Sequence, residues 1–253
     1  MKTVIALYTA TGNTLYVASQ FKDKEIHFID KILDGSDKLP DKIDRLGIMF
    51  PVYNKGIPQI VAIFVNTVLK ERDNSDIGYV FAFTTNGGNP YSHLYSFDKL
   101  LQNINLNLSY AATVKLPYTN LKKHRKLTSE METLAFANKM KRKTDKIIEE
   151  IENETIKLPK ALPFARTIGA LSRKANRRYK DNKLTLDSSK CTKCNVCYHI
   201  CPLNNIEKDT IKFKDKCSDC YACYHRCPEH ALLFKDQDGQ YLGLQDTEAL
   251  WRR

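Results

Sequence analysis

Apolar and polar positions in the first half of the chain fall into two spacings that take turns. Val4-Ile5-Ala6-Leu7-Tyr8 is an unbroken apolar run, the pattern of a strand covered on both faces. Thr9 to Thr14 reads as a turn, followed by helical spacing to about Phe21. Ile26 to Ile29 predicts a weak second strand, and Leu46 to Phe50 a third, ended by Pro51. Pro58 suits the first turn of a helix, so Gln59 to Leu69 is predicted helical. Ile77 to Phe83 predicts a strong strand, Tyr91 to Gln102 a helix and Leu106 to Val114 a fifth strand. A helix from about Thr128 to Glu152 closes the series. This largely alternating order predicts an α/β fold, an open, doubly wound parallel five-stranded sheet with helices on both faces.

The pattern changes near residue 156, where Pro159 and Pro163 mark a boundary. Residues 164–176 are predicted helical, with Phe164, Ile168, Leu171 and Ala175 on one face. Beyond them the sequence repeats itself. Cys191-Thr-Lys-Cys194-Asn-Val-Cys197-Tyr-His-Ile-Cys201-Pro202 matches Cys217-Ser-Asp-Cys220-Tyr-Ala-Cys223-Tyr-His-Arg-Cys227-Pro228 at an offset of 26 residues. Two copies at that period predict two half-modules around a pseudo-twofold axis. The expected domains are therefore 1–155, a linker or helix over 156–187, and a small cysteine-rich domain over 188–253.

Composition narrows the class. The 253 residues are 42% hydrophobic, enough for a proper core, and 27% charged, which excludes wholesale disorder. No apolar run approaches the roughly 18 residues of a membrane span. Met1-Lys2-Thr3-Val4-Ile5 lacks the apolar stretch of a signal peptide, so a cytoplasmic protein is expected. All eight cysteines lie between Cys191 and Cys227, which points to metal and not to disulfide staples. The net charge of +11 is also local: residues 156–190 hold 10 basic and 2 acidic side chains. Such a patch attracts nucleic acid, anionic lipid or an acidic protein, or is simply a solvated linker. Nucleic acid is disfavoured, because Phe164 and Tyr179 are too far apart to stack bases in series.

Each cysteine copy reads C-x2-C-x2-C-x3-C-P. Three thiolates at this spacing on a tight turn can wrap three corners of a cubane, and the fourth points away from its own copy. Two four-cysteine zinc sites are the alternative, but those come as separated C-x2-C pairs. Residues 188–236 resemble the two-cluster bacterial ferredoxins, whose fourth cysteine ligates the other cluster. The resemblance implies one [4Fe–4S] cluster on Cys191, Cys194, Cys197 and Cys227 and another on Cys217, Cys220, Cys223 and Cys201. His199 and His225 hold matching positions, either tuning the clusters by hydrogen bonds or packing on their shell.

Thr9-Ala10-Thr11-Gly12-Asn13-Thr14 joins the first strand to the first helix. Its three hydroxyls, with the free N–H groups and positive dipole of a helix N-terminus, suit a phosphate. A helix cap alone is the plainer reading. The loop closely resembles the flavodoxin signature T/S-x-T-G-N-T, and the likeness extends over roughly residues 1–150. It implies strand order 2-1-3-4-5 with FMN at the carboxyl ends of the strands. Pro51-Val52-Tyr53-Asn54-Lys55-Gly56 and Thr84-Thr85-Asn86-Gly87-Gly88, with Tyr91 beyond, fall where flavodoxins touch the flavin ring. Tyr53 or Tyr91 could stack on it. Lys55 departs from the acidic surroundings usual in flavodoxins, and a cation there favours the fully reduced, anionic flavin.

As a whole the chain resembles the flavodoxin–ferredoxin fusion proteins of anaerobes. That resemblance implies an electron-transfer iron–sulfur flavoprotein with FMN, two [4Fe–4S] clusters and a redox protein partner, an acidic one by the charge argument. Two other functions stay open: an FMN-dependent reductase of a diffusible small-molecule electron acceptor, and a ferredoxin-type carrier whose first domain holds no flavin. No Ser–His–Asp or paired-carboxylate motif and no G-x-G-x-x-G suggests other chemistry.

Overall fold

In the computed structural model the apolar run forms β1 (Thr3–Leu7), the strand on which the rest of the sheet is built. The structure describes residues 2–53, 56–88, 92–117, 119, 130–160, 184–235, 239–241 and 244. Parallel to β1 lie β2 (Lys24–Phe28) on one side and β3 (Arg45–Pro51) on the other. Then come β4 (Tyr79–Asn86) and β5 (Tyr110–Lys115), giving the order β2-β1-β3-β4-β5, all parallel. This is the flavodoxin-like, doubly wound arrangement.

Strand period explains the layering. Val4, Ala6 and Tyr8 face one side of the sheet, with α2 (Ile29–Asp34), α3 (Gln59–Phe64) and α4 (His93–Gln102). Ile5 and Leu7 face the other side, with α1 (Asn13–Ala18) and the long α5 (Glu130–Glu152). Every residue of β1 is therefore buried, as its unbroken apolar run requires.

Several boundaries differ from the sequence reading. Helix α1 ends at Ala18, not near Phe21, because the chain tightens there through Gln20 N–H to Val17 O. Phe21 leaves the helix to stack on Phe81, ring centroids 5.6 Å apart. Helix α2 was not anticipated, since Ile29 to Asp34 gives little more than one turn of pattern. Pro51 is the last residue of β3 and does not cut it short. After α3 the backbone runs as a π-helix over Val65–Leu69. Asn66 Nδ2 and Thr67 Oγ1 there bond the carbonyls four residues back, at 2.8 and 2.9 Å, competing with the ordinary helix ladder. Strand β5 begins at Tyr110, while Leu106 and Leu108 reach the core from the preceding loop. The predicted helix over 164–176 lies outside the described residues.

After residue 184 comes a smaller α+β region, with β6 (Thr185–Leu186) antiparallel to β7 (Leu232–Leu233). Between them sit two short helices, α6 (Val196–His199) and α7 (Ala222–His225). Its own small core includes Ile206, Ile211, Tyr221, Tyr224, Leu232 and Phe234. Among the described residues no helix is long and apolar enough to cross a membrane.

Gly47 stands in the middle of β3, opposite Phe81 of β4. A β-carbon on it would overlap the Phe81 ring. Gly47→Ala is expected to destabilise the fold by about 1–3 kcal/mol, the usual cost of overpacking. Urea unfolding measures this as a lower midpoint at unchanged slope.

Candidate functional site

The three predicted loops meet at the carboxyl edge of the sheet. Gly12 holds the first loop in its turn with φ of 89°, a left-handed conformation that suits glycine, and its N–H donates to Thr9 Oγ1 at 3.1 Å. Thr9, Ala10, Thr11, Asn13 and Thr14 are all buried. The hydroxyls of Thr14 and Thr85 share a 2.9 Å hydrogen bond that ties the first loop to the third. Val52 N–H donates to Thr85 O at 2.8 Å, tying in the second. Tyr53 and Gly56 exchange backbone hydrogen bonds of 3.2 and 2.7 Å, which closes that loop into a tight turn. Asn54, Lys55 and Tyr91 lie outside the described residues. Gly87 and Gly88 are exposed at the tip of the third loop.

Buried polar atoms without partners gather at this edge. Among the described residues the hydroxyls of Tyr8 and Tyr53, Asn86 Oδ1 and His93 Nδ1 have no hydrogen-bond partner. Native interiors rarely leave such groups unpaired, so a polar ligand at these loops fits the site. His93 Nε2 is held by Thr84 Oγ1 at 2.9 Å, and burial pushes the imidazole down to about 4.

The cysteine region repeats in conformation as well as in sequence. Lys193 and Asp219 have φ of 58° and 55°, and Asn195 and Tyr221 have 62° and 57°. Asn204 and His230, again 26 residues apart, both have 49°. Asn205 N–H donates to Cys201 Sγ at 3.2 Å, and Ala231 N–H to Cys227 Sγ at 3.3 Å, in the same relation. An open hollow is lined by Cys191, Cys194, Cys197 and, from the other copy, Cys227. In the second copy, Cys220 and Cys223 are influenced by Cys217 and by Cys201 of the first copy. Burial pushes the Cys220 thiol up to about 11 and raises Cys197 and Cys223 too. Among the described residues no three Cys, His, Asp or Glu converge on a single-ion position. A cubane instead carries each thiolate on a separate iron.

The two copies have different surroundings. Cys194 is exposed, whereas its counterpart Cys220 lies beside Tyr8 and Tyr53 of the sheet domain. Leu203, just after Cys201, packs on the sheet core. His199 is exposed, but His225 is fully buried. His225 Nε2 lies 2.9 Å from Thr119 O, which can only accept, so that nitrogen carries the proton. Nδ1 accepts Tyr241 N–H at 3.1 Å. Both ring nitrogens of His225 are thus spent on the interface, and it packs on the shell without tuning a cluster through an N–H. The C-terminal stretch completes the clamp. Gln240 Nε2 donates to the carbonyls of Tyr224 and Cys227, and Tyr241 OH donates to Asn13 Oδ1 at 2.6 Å. Asn13 Nδ2 in turn donates to Pro117 O at 3.1 Å, so this loop side chain braces the interface. Leu244 joins the core beneath α1 and α5.

Tyr8, Thr119, Gln240 and Tyr241 were not singled out by the sequence. Only Tyr8 carried a signal, a polar tip at the end of a fully buried strand. The other three act through the tertiary approach of distant segments.

Residues 184–207 match the model of the 4Fe-4S binding domain family. No curated protein matches the chain. Among solved structures, a flavoprotein in complex with FMN from Lactobacillus acidophilus NCFM is 19% identical, covering 44% of this chain and 92% of that one at a TM-score of 0.36. A flavodoxin from the domain Archaea is 13% identical, covering 60% and 99% at 0.37. The two-electron reduced flavodoxin of Megasphaera elsdenii is 16% identical, covering 45% and 85% at 0.33. The strand order β2-β1-β3-β4-β5 is what makes the sheet flavodoxin-like. The chain joins a flavodoxin-like N-terminal domain to a C-terminal 4Fe-4S binding domain.

Neutral His93 makes the fold sensitive to acid. The unfolded chain binds a proton there below about pH 6.5, while the folded chain resists until about pH 4. The contribution of this group is complete above pH 6.5 and is lost as pH falls toward 4. Replacing His93 with Gln should shrink the stability difference between pH 7 and pH 5 by about 2 kcal/mol, read from urea midpoints at both values. An unchanged difference would remove His93 from the acid response.

Proposed function

We propose that the chain is an electron-transfer iron–sulfur flavoprotein of the flavodoxin–ferredoxin fusion type. In this reading residues 1–155 bind FMN, residues 156–187 link, and residues 188–253 carry two [4Fe–4S] clusters. Cys191, Cys194, Cys197 and Cys227 hold the first cluster, and Cys217, Cys220, Cys223 and Cys201 the second. The shared hollow of the first set and the mutual influence of the second support these groupings. Backbone N–H groups aimed at Cys201 and Cys227 suit sulfurs that carry negative charge.

For FMN, Thr9 to Thr14 would bind the phosphate through hydroxyls and first-turn N–H groups. Pro51 to Gly56, Thr84 to Gly88 and Tyr91 would border the ring. The unpaired atoms of Asn86 and His93 support a polar ligand there. A bound flavin supplies one- or two-electron exchange, where each cluster exchanges one electron. The residues of the chain position and insulate these groups.

One observation carries the reading. Tyr8, at the end of β1, lies against Cys220, so the second cysteine set adjoins the strand ends that flavodoxin-like sheets use for ligands. Cys194 of the first set remains exposed, which suits contact with a redox partner. The basic stretch around residues 156–190 suits an acidic one.

Anaerobic isolation with flavin, iron and sulfide quantitation on one sample should find one FMN and about eight irons per chain. Cys201→Ala should cost about half the iron and spare the FMN. Full iron with no flavin, and none taken up on adding FMN, would leave a ferredoxin-type carrier on a scaffold. About four irons in the unsubstituted chain would reduce the reading to a single cluster.

A further inference from the structure

The seam between the two domains buries the hydroxyls of two phenols, Tyr8 and Tyr53. Tyr8 is only 3% exposed. Its ring meets that of Tyr53 edge to face, with centroids 6.1 Å apart and planes at 89°. Neither hydroxyl has a hydrogen-bond partner among the described residues. Yet Leu203, two residues after Cys201, packs on the same core cluster as both tyrosines, and the Tyr8 hydroxyl approaches both Tyr53 and the Cys220 sulfur. A protonated thiol is a poor acceptor. A thiolate bound to iron is a strong one, and a hydrogen bond to it is charge-assisted.

We propose that Tyr8 and Tyr53 are positioning residues that direct their hydroxyls at the Cys220 thiolate, so that the flavodoxin-like domain sets the reduction potential of the cluster beside it. This rests on the assignment of Cys201, Cys217, Cys220 and Cys223 to one [4Fe–4S] cluster. Hydrogen bonds to cluster sulfur favour the reduced, more negative state and raise the potential. Cys194 provides the contrast within the same chain. It occupies the equivalent place in the first copy but is exposed. Loss of the hydroxyls should therefore lower the potential of the cluster beside the sheet and leave that of the other unchanged.

The test is an anaerobic, EPR-monitored redox titration of the full chain, with Tyr8→Phe, Tyr53→Phe and the double variant. Phenylalanine keeps each ring and removes only the hydroxyl. The cluster whose signal disappears in Cys201→Ala is the one to follow. Its midpoint should move to more negative potential in each single variant and further in the double one. The other cluster should stay in place in every variant, and the flavin should stay in place in Tyr8→Phe, whose residue does not border the ring. The Fe–S(Cys) bands of that cluster in resonance Raman spectra should rise in frequency as the hydrogen bonds are lost. Unchanged midpoints at full iron content would overturn the proposal. So would equal shifts of both clusters, which would indicate a general structural effect. Loss of the cluster from both single variants would overturn it too, since tuning hydroxyls are dispensable for assembly. Iron content of the unsubstituted chain separates these outcomes from failure of the functional reading: eight irons with unmoved potentials sinks only the role of the tyrosines.

Discussion

The seating of the second cysteine copy on the carboxyl edge of the parallel sheet is the contact on which the rest of the organisation depends. It is made by segments far apart in sequence. Tyr8 follows β1 and Thr119 follows β5, and both touch the cysteine region; Tyr53, after β3, packs on Tyr8. Parallel strands bring these positions to one edge because every crossover returns the chain to the same starting end. A mixed sheet would have scattered them. The clamp formed by Gln240, Tyr241 and Leu244 closes the seam from the far end of the sequence. Asn13 joins that clamp to the predicted phosphate loop, so occupancy of the loop and the closure of the seam share a residue.

That seam breaks the symmetry of the repeat. The two cysteine copies have nearly the same backbone, down to matched left-handed residues and matched N–H donors to sulfur. Their surroundings then diverge. One copy keeps Cys194 and His199 exposed, while the other buries His225 and turns Cys220 towards the sheet. Under the proposed reading this gives an outer cluster accessible to a partner and an inner one next to the flavin. A duplicated module acquires direction by being packed on one side only.

Much of this was legible in the sequence where the signal was local. The unbroken run from Val4 to Tyr8 matched a strand buried on both faces, and the alternation after it argued for a parallel sheet. The spacing of the cysteines carried the repeat. Short elements were less legible: Ile29 to Asp34 makes too little pattern to reveal α2, and the π-helix after α3 arises from side chains of Asn66 and Thr67 that no periodicity registers. The seam itself was not legible. His225 looked like a cluster neighbour, yet its two ring nitrogens bond Thr119 and Tyr241, partners that only the tertiary approach supplies. Tyr8 read as the last residue of a core strand, and its hydroxyl gained meaning only when Cys220 arrived beside it.

Under the proposed function, electrons pass between flavin and clusters within one chain, across the seam. Laser-flash reduction of the flavin under anaerobic conditions, with cluster absorbance followed in time, measures this directly. The clusters should become reduced at a rate independent of protein concentration, as for neighbouring groups in one molecule. A rate that rises in proportion to protein concentration would contradict it, because the electrons would then be crossing between molecules.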